Sequence, residues 1–201
     1  MVNKMTKYKD KMFYRIVKPL LNFLIWFLYH PTVVGRENIP KKGPVVLAGN
    51  HTKWLDPPSL CAIVHGRQVH FLAKKEMFKG KLAFIAKGMG AIPVDRSIHD
   101  KNALNNAIDA LNDGLCIGIF PEGTINRTKD VIMPFKIGAV KMSKEANATL
   151  VPFIITGKYR LFRKGIRMEF LKPIKVGDDL DKANEKLMKA VKEGLIKNGK
   201  Q

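Results

Sequence analysis

A chain of 201 residues, 46% of them apolar, suits one domain with a substantial buried core and is too apolar for a disordered chain. Its 36 Lys and Arg against 17 Asp and Glu give a net charge of +19, leaving phosphate groups, anionic lipid surfaces, acidic proteins and nucleic acid as candidate partners. Cys61 and Cys116 lie far apart in apolar surroundings, without metal-type spacing or a nearby signal-peptide cleavage pattern, and read as buried free thiols of a reducing compartment rather than as a metal site.

The first thirty residues form a unit of their own. Lys11, Arg15, Lys18 and Asn22 recur at helical spacing opposite Phe13, Ile16, Val17, Leu20, Leu24 and Phe27, which is a basic amphipathic pattern. Its wholly apolar part, Phe23 to Tyr29, covers only about 10 Å as helix against a hydrocarbon core of about 30 Å. Pro19 either starts a second helix or kinks a single one. Residues 1–30 are therefore expected to be amphipathic helices lying in a membrane interface, with Trp26 and Tyr29 near the headgroups. The alternative is a helix packed on the protein's own core.

After His30-Pro31, apolar strands alternate with helices. Strands are expected over Thr32–Gly35, Pro44–Ala48, Gln68–Ala73, Gly90–Val94, Leu115–Phe120, Thr149–Ile155 and Arg167–Phe170. Helices are expected from Asp56 to about Val64, from Glu76 to Lys87, from Asp100 to Asn112 and from Asp178 to Lys197, with Asp56 as an N-cap and Pro57 at the first helical position. Such alternation predicts an α/β layered domain with a largely parallel central sheet flanked by helices, whose sites form beyond the carboxyl ends of the strands.

Two strand ends carry chemistry. The run Gly49-Asn50-His51-Thr52-Lys53-Trp54-Leu55-Asp56-Pro57 joins an imidazole and a carboxylate across one turn. A neutral imidazole takes a proton from a hydroxyl near neutral pH, and a carboxylate on its other nitrogen fixes the tautomer and steadies the imidazolium. No nucleophile stands nearby in sequence, so the substrate has to bring the hydroxyl, which points to a transferase acting on an alcohol. A His and an Asp five apart also arise as an ordinary capped turn. What raises the pair is the second end, Phe120-Pro121-Glu122-Gly123-Thr124, which likewise follows an apolar run.

The segments Asn50-His51-x4-Asp56-Pro57, Gly90-Ala-Ile-Pro-Val-Asp-Arg96, Phe120-Pro-Glu-Gly-Thr124 and Val151-Pro-Phe-Ile154 resemble, in order and spacing, the four blocks of the glycerolipid acyltransferases, above all the short bacterial lysophosphatidic acid acyltransferases. The resemblance runs from about Val33 to about Lys175, so residues 31–201 are expected to be the acyltransferase catalytic domain. It implies transfer of a fatty acyl group from a thioester, on coenzyme A or acidic acyl carrier protein, to the sn-2 hydroxyl of lysophosphatidic acid, without cofactor or metal. An acyltransferase for glycerol-3-phosphate or another lysophospholipid has the same blocks. On this reading His51 is the base and Asp56 orients it. Arg96 grips the acceptor's phosphate, Glu122 positions Arg96 or bonds a glycerol hydroxyl, and Gly123 and Thr124 cradle phosphate or glycerol oxygens. Backbone donors of Val151-Pro152-Phe153 support the oxyanion. One departure is Ile125, where many members carry Arg; Arg127 stands two positions on.

Two basic groups, Lys74, Lys75, Lys79, Lys81 and Lys87, and Arg160, Arg163, Lys164 and Arg167, suit donor phosphates, acyl carrier protein, lipid headgroups or plain solvation. His65, His70 and His99 have no motif around them. The expected location is the cytoplasmic face of the cell membrane, peripheral or monotopic. A non-catalytic nucleic-acid-binding protein is the distant alternative, and no nucleic-acid partner is expected, because the aromatic-plus-basic strand pattern, helix-turn-helix and zinc spacings are missing from the sequence.

Overall fold

A computed structural model of the chain describes residues 11–80, 83–95, 97–98 and 100–199. The described residues begin in α1 (Lys11–Tyr29), one continuous helix with Pro19 inside it. His30, at φ 41°, turns it into β1 (Thr32–Val34). There follow β2 (Val45–Gly49), α2 (Asp56–Ile63), β3 (Val69–Lys74), α3 (Ala83–Gly88), β4 (Ile92–Val94), α4 (Lys101–Asn112), β5 (Cys116–Ile119), α5 (Gly138–Glu145), β6 (Thr149–Gly157), β7 (Ile166–Phe170) and α6 (Leu180–Lys197).

The described strands form one seven-stranded sheet in the order β1-β7-β6-β2-β5-β3-β4. Every pairing is parallel except β6 with β7. β2 lies between β5 and β6 and is buried along its whole length, as a continuous apolar run in a parallel sheet requires. Val46, Ala48, Ile117, Leu150 and Ile154 face α4, α5 and α6 on one side. Val45, Leu47, Val151, Phe153 and Ile155 face α2 and part of α1 on the other. Each large apolar side chain so enclosed contributes about 1.5–3 kcal/mol relative to an exposed position.

Three expectations need correction. The single helix over Glu76 to Lys87 is two pieces, a 3-10 turn (Lys75–Phe78) and α3, with Gly80 at φ 72° in the left-handed region between them. Helix α5 had no expected counterpart. Its N-terminus carries no capping side chain, although Ala139, Val140, Met142 and Ser143 mark an inward face. Asp56 does not cap its helix: Leu55 holds that position, and the Asp56 carboxylate reaches back to the turn before it.

Helix α1 turns Lys18, Leu21, Asn22 and Ile25 towards the domain and leaves Arg15 exposed. Lys18 Nζ donates to Val64 O at 2.5 Å and Arg67 O at 3.2 Å, putting a cation on carbonyls at and just beyond the end of α2, where the helix dipole favours it. Tyr14 and Ile25 are buried, while Ile16, Leu20, Phe23, Leu24, Trp26 and Phe27 remain exposed. On this face Phe27 meets Phe162 edge-on and Arg36 lies over the Trp26 ring, while Ile16, Leu20 and Leu24 keep large exposed surfaces. Composition and length make Met12–Tyr29 a candidate span, and the inner face of the helix packs against α2.

Candidate active site

Register brings the two motif-bearing strand ends together. Ala48 of β2 stands opposite Ile119 of β5, so His51 and Glu122, three residues beyond each, emerge level at the carboxyl edge of the sheet. The His51 N–H donates to Glu122 Oε1 at 2.8 Å, and the Met133 N–H donates to Oε2 at 2.8 Å. Glu122 is only 4% exposed. Its carboxylate, expected to touch Arg96 or a glycerol hydroxyl, ties the His51 turn to the loop after β5, and Arg96 lies outside the described residues. A buried carboxylate needs such donors, and two backbone N–H groups supply them.

The local turn is built around Asp56, which is fully buried. Oδ2 accepts from His51 Nδ1 at 2.9 Å, from the Thr52 N–H at 2.5 Å and from the Lys53 N–H at 2.8 Å. Oδ1 accepts from Thr52 Oγ1 at 3.1 Å and from the Tyr159 hydroxyl at 2.8 Å. With Nδ1 engaged by the carboxylate, Nε2 is left for a substrate proton. The His51 ring stacks on Phe120 with centroids 4.2 Å apart and planes at 20°, and Phe153 meets Phe120 edge-on at 5.7 Å. The ring is therefore held by a carboxylate at one edge and an aromatic plane on one face.

Gly49 and Asn50 place the turn. A Cβ at Gly49 would lie 2.2 Å from Phe153 O, so β2 and β6 could not approach there with any larger residue. Asn50 continues the ladder with its side chain, donating to Ile155 O at 2.9 Å and accepting the Ile155 N–H at 2.8 Å.

Beside His51 lies a cavity of about 240 Å³. Leu72, Val94, Ile98, Leu104, Ile119 and Ile137 give it apolar walls, and Lys101, Lys136 and Lys141 bring positive charge. No Ser, Thr or Cys lines it among the described residues, so no protein hydroxyl or thiol is placed to act as nucleophile. Cys61 and Cys116 are buried elsewhere in the core, and burial pushes both thiols up to about 12. A larger cavity of about 690 Å³ lies at the opposite ends of the strands, lined among others by Lys18, Lys41, Lys42, Gln68, His70 and Asp113, away from His51 and Asp56. Arg67 beside it is committed to the carbonyls of Pro40, Gly43 and Gly114.

Gly123 lines the cavity at φ 75°, and Thr124 is exposed at the next position. Arg127 is exposed and does not line the cavity. Arg96 and His99 lie outside the described residues. Around that turn, Asp95 pairs with Lys75 and accepts from Ser97; the Lys75 hydrogen bond, then those of Ser97, hold its carboxyl down at about 2. Val151, Pro152 and Phe153 are wholly buried, paired with Leu47, Ala48 and Gly49, and do not line the cavity. Phe153 backs the Phe120 ring.

Two contributors escaped sequence reading. Tyr159 follows β6 and reaches Asp56 across 103 positions; burial first, then the Asp56 carboxylate, push its phenol well above the ordinary range, so it stays a donor. Lys136 lies over Gly123, its Cε and Nζ each 3.1 Å from where a Cβ would stand. A Lys sixteen places after Phe120 has no local signal of its own. The glycine opposite it does, since Gly123 leaves room for that chain.

Comparison with known proteins agrees with this arrangement. The family profile described as Acyltransferase matches residues 30–156. A 1-acyl-sn-glycerol-3-phosphate acyltransferase of Bacillus subtilis is 34% identical over 156 residues, covering 76% of this chain and 74% of that protein. One from Streptococcus pneumoniae is 29% identical over 201 residues, covering 94% and 72%. The crystal structure of the 1-acyl-sn-glycerophosphate acyltransferase from Thermotoga maritima superposes with a TM-score of 0.74 at 21% identity, covering all of this chain and 85% of that one, which establishes the shared fold.

Proposed function

Since the chain belongs to the acyltransferase family, we propose that it transfers a fatty acyl group from a thioester to the sn-2 hydroxyl of lysophosphatidic acid, forming phosphatidic acid. The observation that carries this reading is the Asp56–His51 pair, with its carboxylate buried, beside a cavity that no Ser, Thr or Cys lines among the described residues. His51 Nε2 takes the proton of the acceptor hydroxyl as that oxygen attacks the thioester carbonyl. Asp56 steadies the imidazolium. When the tetrahedral intermediate collapses, the C–S bond breaks and the proton passes from His51 to the departing thiolate. A base of this kind supplies about 10²–10⁴ in rate.

The acceptor's phosphate suits the cationic side of the cavity, with Arg96 as the gripping residue and Lys136 adding charge over the Gly123 turn. The apolar walls suit an acyl chain. The outward apolar face of α1 fits a monotopic association with the cytoplasmic leaflet, where both the lysolipid and its product reside. Acyl-coenzyme A and acyl carrier protein are both proposed as donors.

The test offers purified protein a panel of glycerol-3-phosphate, lysophosphatidic acid and other lysophospholipids with each donor. Transfer to lysophosphatidic acid at the highest kcat/KM supports the assignment. Preference for glycerol-3-phosphate or a neutral lysolipid would overturn it, and the donor arms decide the carrier.

A further inference from the structure

The loop 158–165 between β6 and β7 combines three features that the catalytic reading leaves unused. Leu161 and Phe162 at its tip are 58% and 61% exposed. Lys158, Arg160, Arg163 and Lys164 surround them, and the loop contains no acid. None of these four cations has an ion pair among the described residues, whereas six other lysines and one arginine do. A solvated loop gains nothing from presenting two large apolar side chains in this way.

The loop also joins a larger surface. The Phe162 N–H donates to Leu28 O at 2.6 Å, so the tip docks on the carboxyl end of α1. The Phe162 ring meets Phe27 edge-on at 5.6 Å, and Phe27 stacks on Phe23 at 5.4 Å. Phe162 is held at φ 56°, an uncommon conformation for a bulky residue, while presenting its ring at this junction. The exposed apolar face of α1 therefore continues onto the loop without interruption, and positive charge borders the added part.

Position matters too. β6 runs parallel to β2, so the loop leaves the sheet at the edge where His51 emerges. At its root Tyr159 donates to Asp56 and packs edge-on against Tyr29 at 5.4 Å. Trp54, in the catalytic turn itself, is 73% exposed. A bilayer touching the loop tip would thus lie at the end of the domain that holds the base.

We propose that the loop 158–165 is a second lipid-contacting element, inserting Leu161 and Phe162 below the headgroups of an anionic phospholipid bilayer while Lys158, Arg160, Arg163 and Lys164 engage the phosphates. The proposal rests on the reading of α1 as a membrane-interface helix and adds an element remote from it in sequence. Two contacts fix the tilt of the domain, where one helix alone leaves it free to roll. Tyr159 links the inserted loop directly to the catalytic carboxylate.

The test uses the full chain. Leu161→Cys carries an environment-sensitive fluorophore, and Ile196→Cys, on α6 across the sheet, carries the same label as a control; Cys61 and Cys116 are buried and leave these positions free for labelling. With vesicles of equimolar phosphatidylcholine and phosphatidylglycerol, the label at 161 shifts to the blue and is shielded from an aqueous quencher, while the label at 196 does neither. Combining Arg160→Gln, Arg163→Gln and Lys164→Gln weakens vesicle binding about a hundredfold, at about fivefold per cation near an anionic surface, and leaves turnover of a water-soluble short-chain acceptor unchanged. Protein that sediments with the vesicles while the label at 161 stays in water overturns the loop proposal and leaves the α1 reading standing. Protein that does not sediment at all removes the membrane reading and the loop proposal with it.

Discussion

Asp56→Asn separates what the carboxylate's charge does from what its shape does. Three of its donors, His51 Nδ1 and the N–H groups of Thr52 and Lys53, converge on Oδ2. The other two, Thr52 Oγ1 and the Tyr159 hydroxyl, meet Oδ1, and both are hydroxyls that can turn round to accept. An amide therefore fits in one orientation, with oxygen at the Oδ2 position and nitrogen facing the two hydroxyls. The turn keeps its bonds, but the two backbone bonds fall from the charge-assisted range of about 1.5–3 kcal/mol to the neutral range of about 0.5–1.5, a combined loss of about 2–3 kcal/mol in stability. Turnover should fall much further, by about 10²–10⁴-fold, because the imidazolium formed on His51 loses its counter-charge. Urea unfolding measures the first quantity, and steady-state transfer to lysophosphatidic acid measures the second, with acceptor KM unchanged. A variant that turned over at the parent rate while folding normally would refute the general-base account.

Tyr159→Phe removes one donor from Asp56 without a cavity of consequence; kcat should drop about tenfold, the low end for a bond to a charged group, with acceptor and donor KM values unmoved. If KM rises instead, Tyr159 contacts substrate and is not a positioning residue. Glu122→Ala leaves the N–H groups of His51 and Met133 without their acceptor, and at about 1–3 kcal/mol for each buried orphan it should lower stability measurably as well as activity, whereas Glu122→Gln, which keeps one acceptor oxygen, should recover part of both. Full stability in Glu122→Ala, measured by thermal unfolding, would argue that the carboxylate faces substrate after all. Arg96→Ala should raise acceptor KM about ten- to hundredfold and leave donor KM alone, while Lys79→Gln changes neither; an unchanged acceptor KM would shift the phosphate grip to Lys136.

Much of the protein was legible in the chain because the signals were local. His51 and Asp56 sit five apart in one turn, the apolar runs of β2, β5 and β6 announce a buried parallel sheet, and Asp100 and Asp179 cap their helices by accepting N–H groups three residues on. Tertiary structure decided what depends on register and on distant approach. Glu122 became a brace for His51 only because Ala48 pairs with Ile119, and the Tyr159 hydroxyl finds Asp56 only once β6 lies beside β2. The fate of α1 is the sharpest instance. Periodicity revealed a polar and an apolar face, but the side that turned inward is the one whose Lys18 ammonium reaches the Val64 and Arg67 carbonyls at and beyond the end of α2, with Ile16, Leu20 and Phe23 left outside. Helical spacing records that two faces differ; only the partner's surface, assembled from residues some fifty positions away, selects between them.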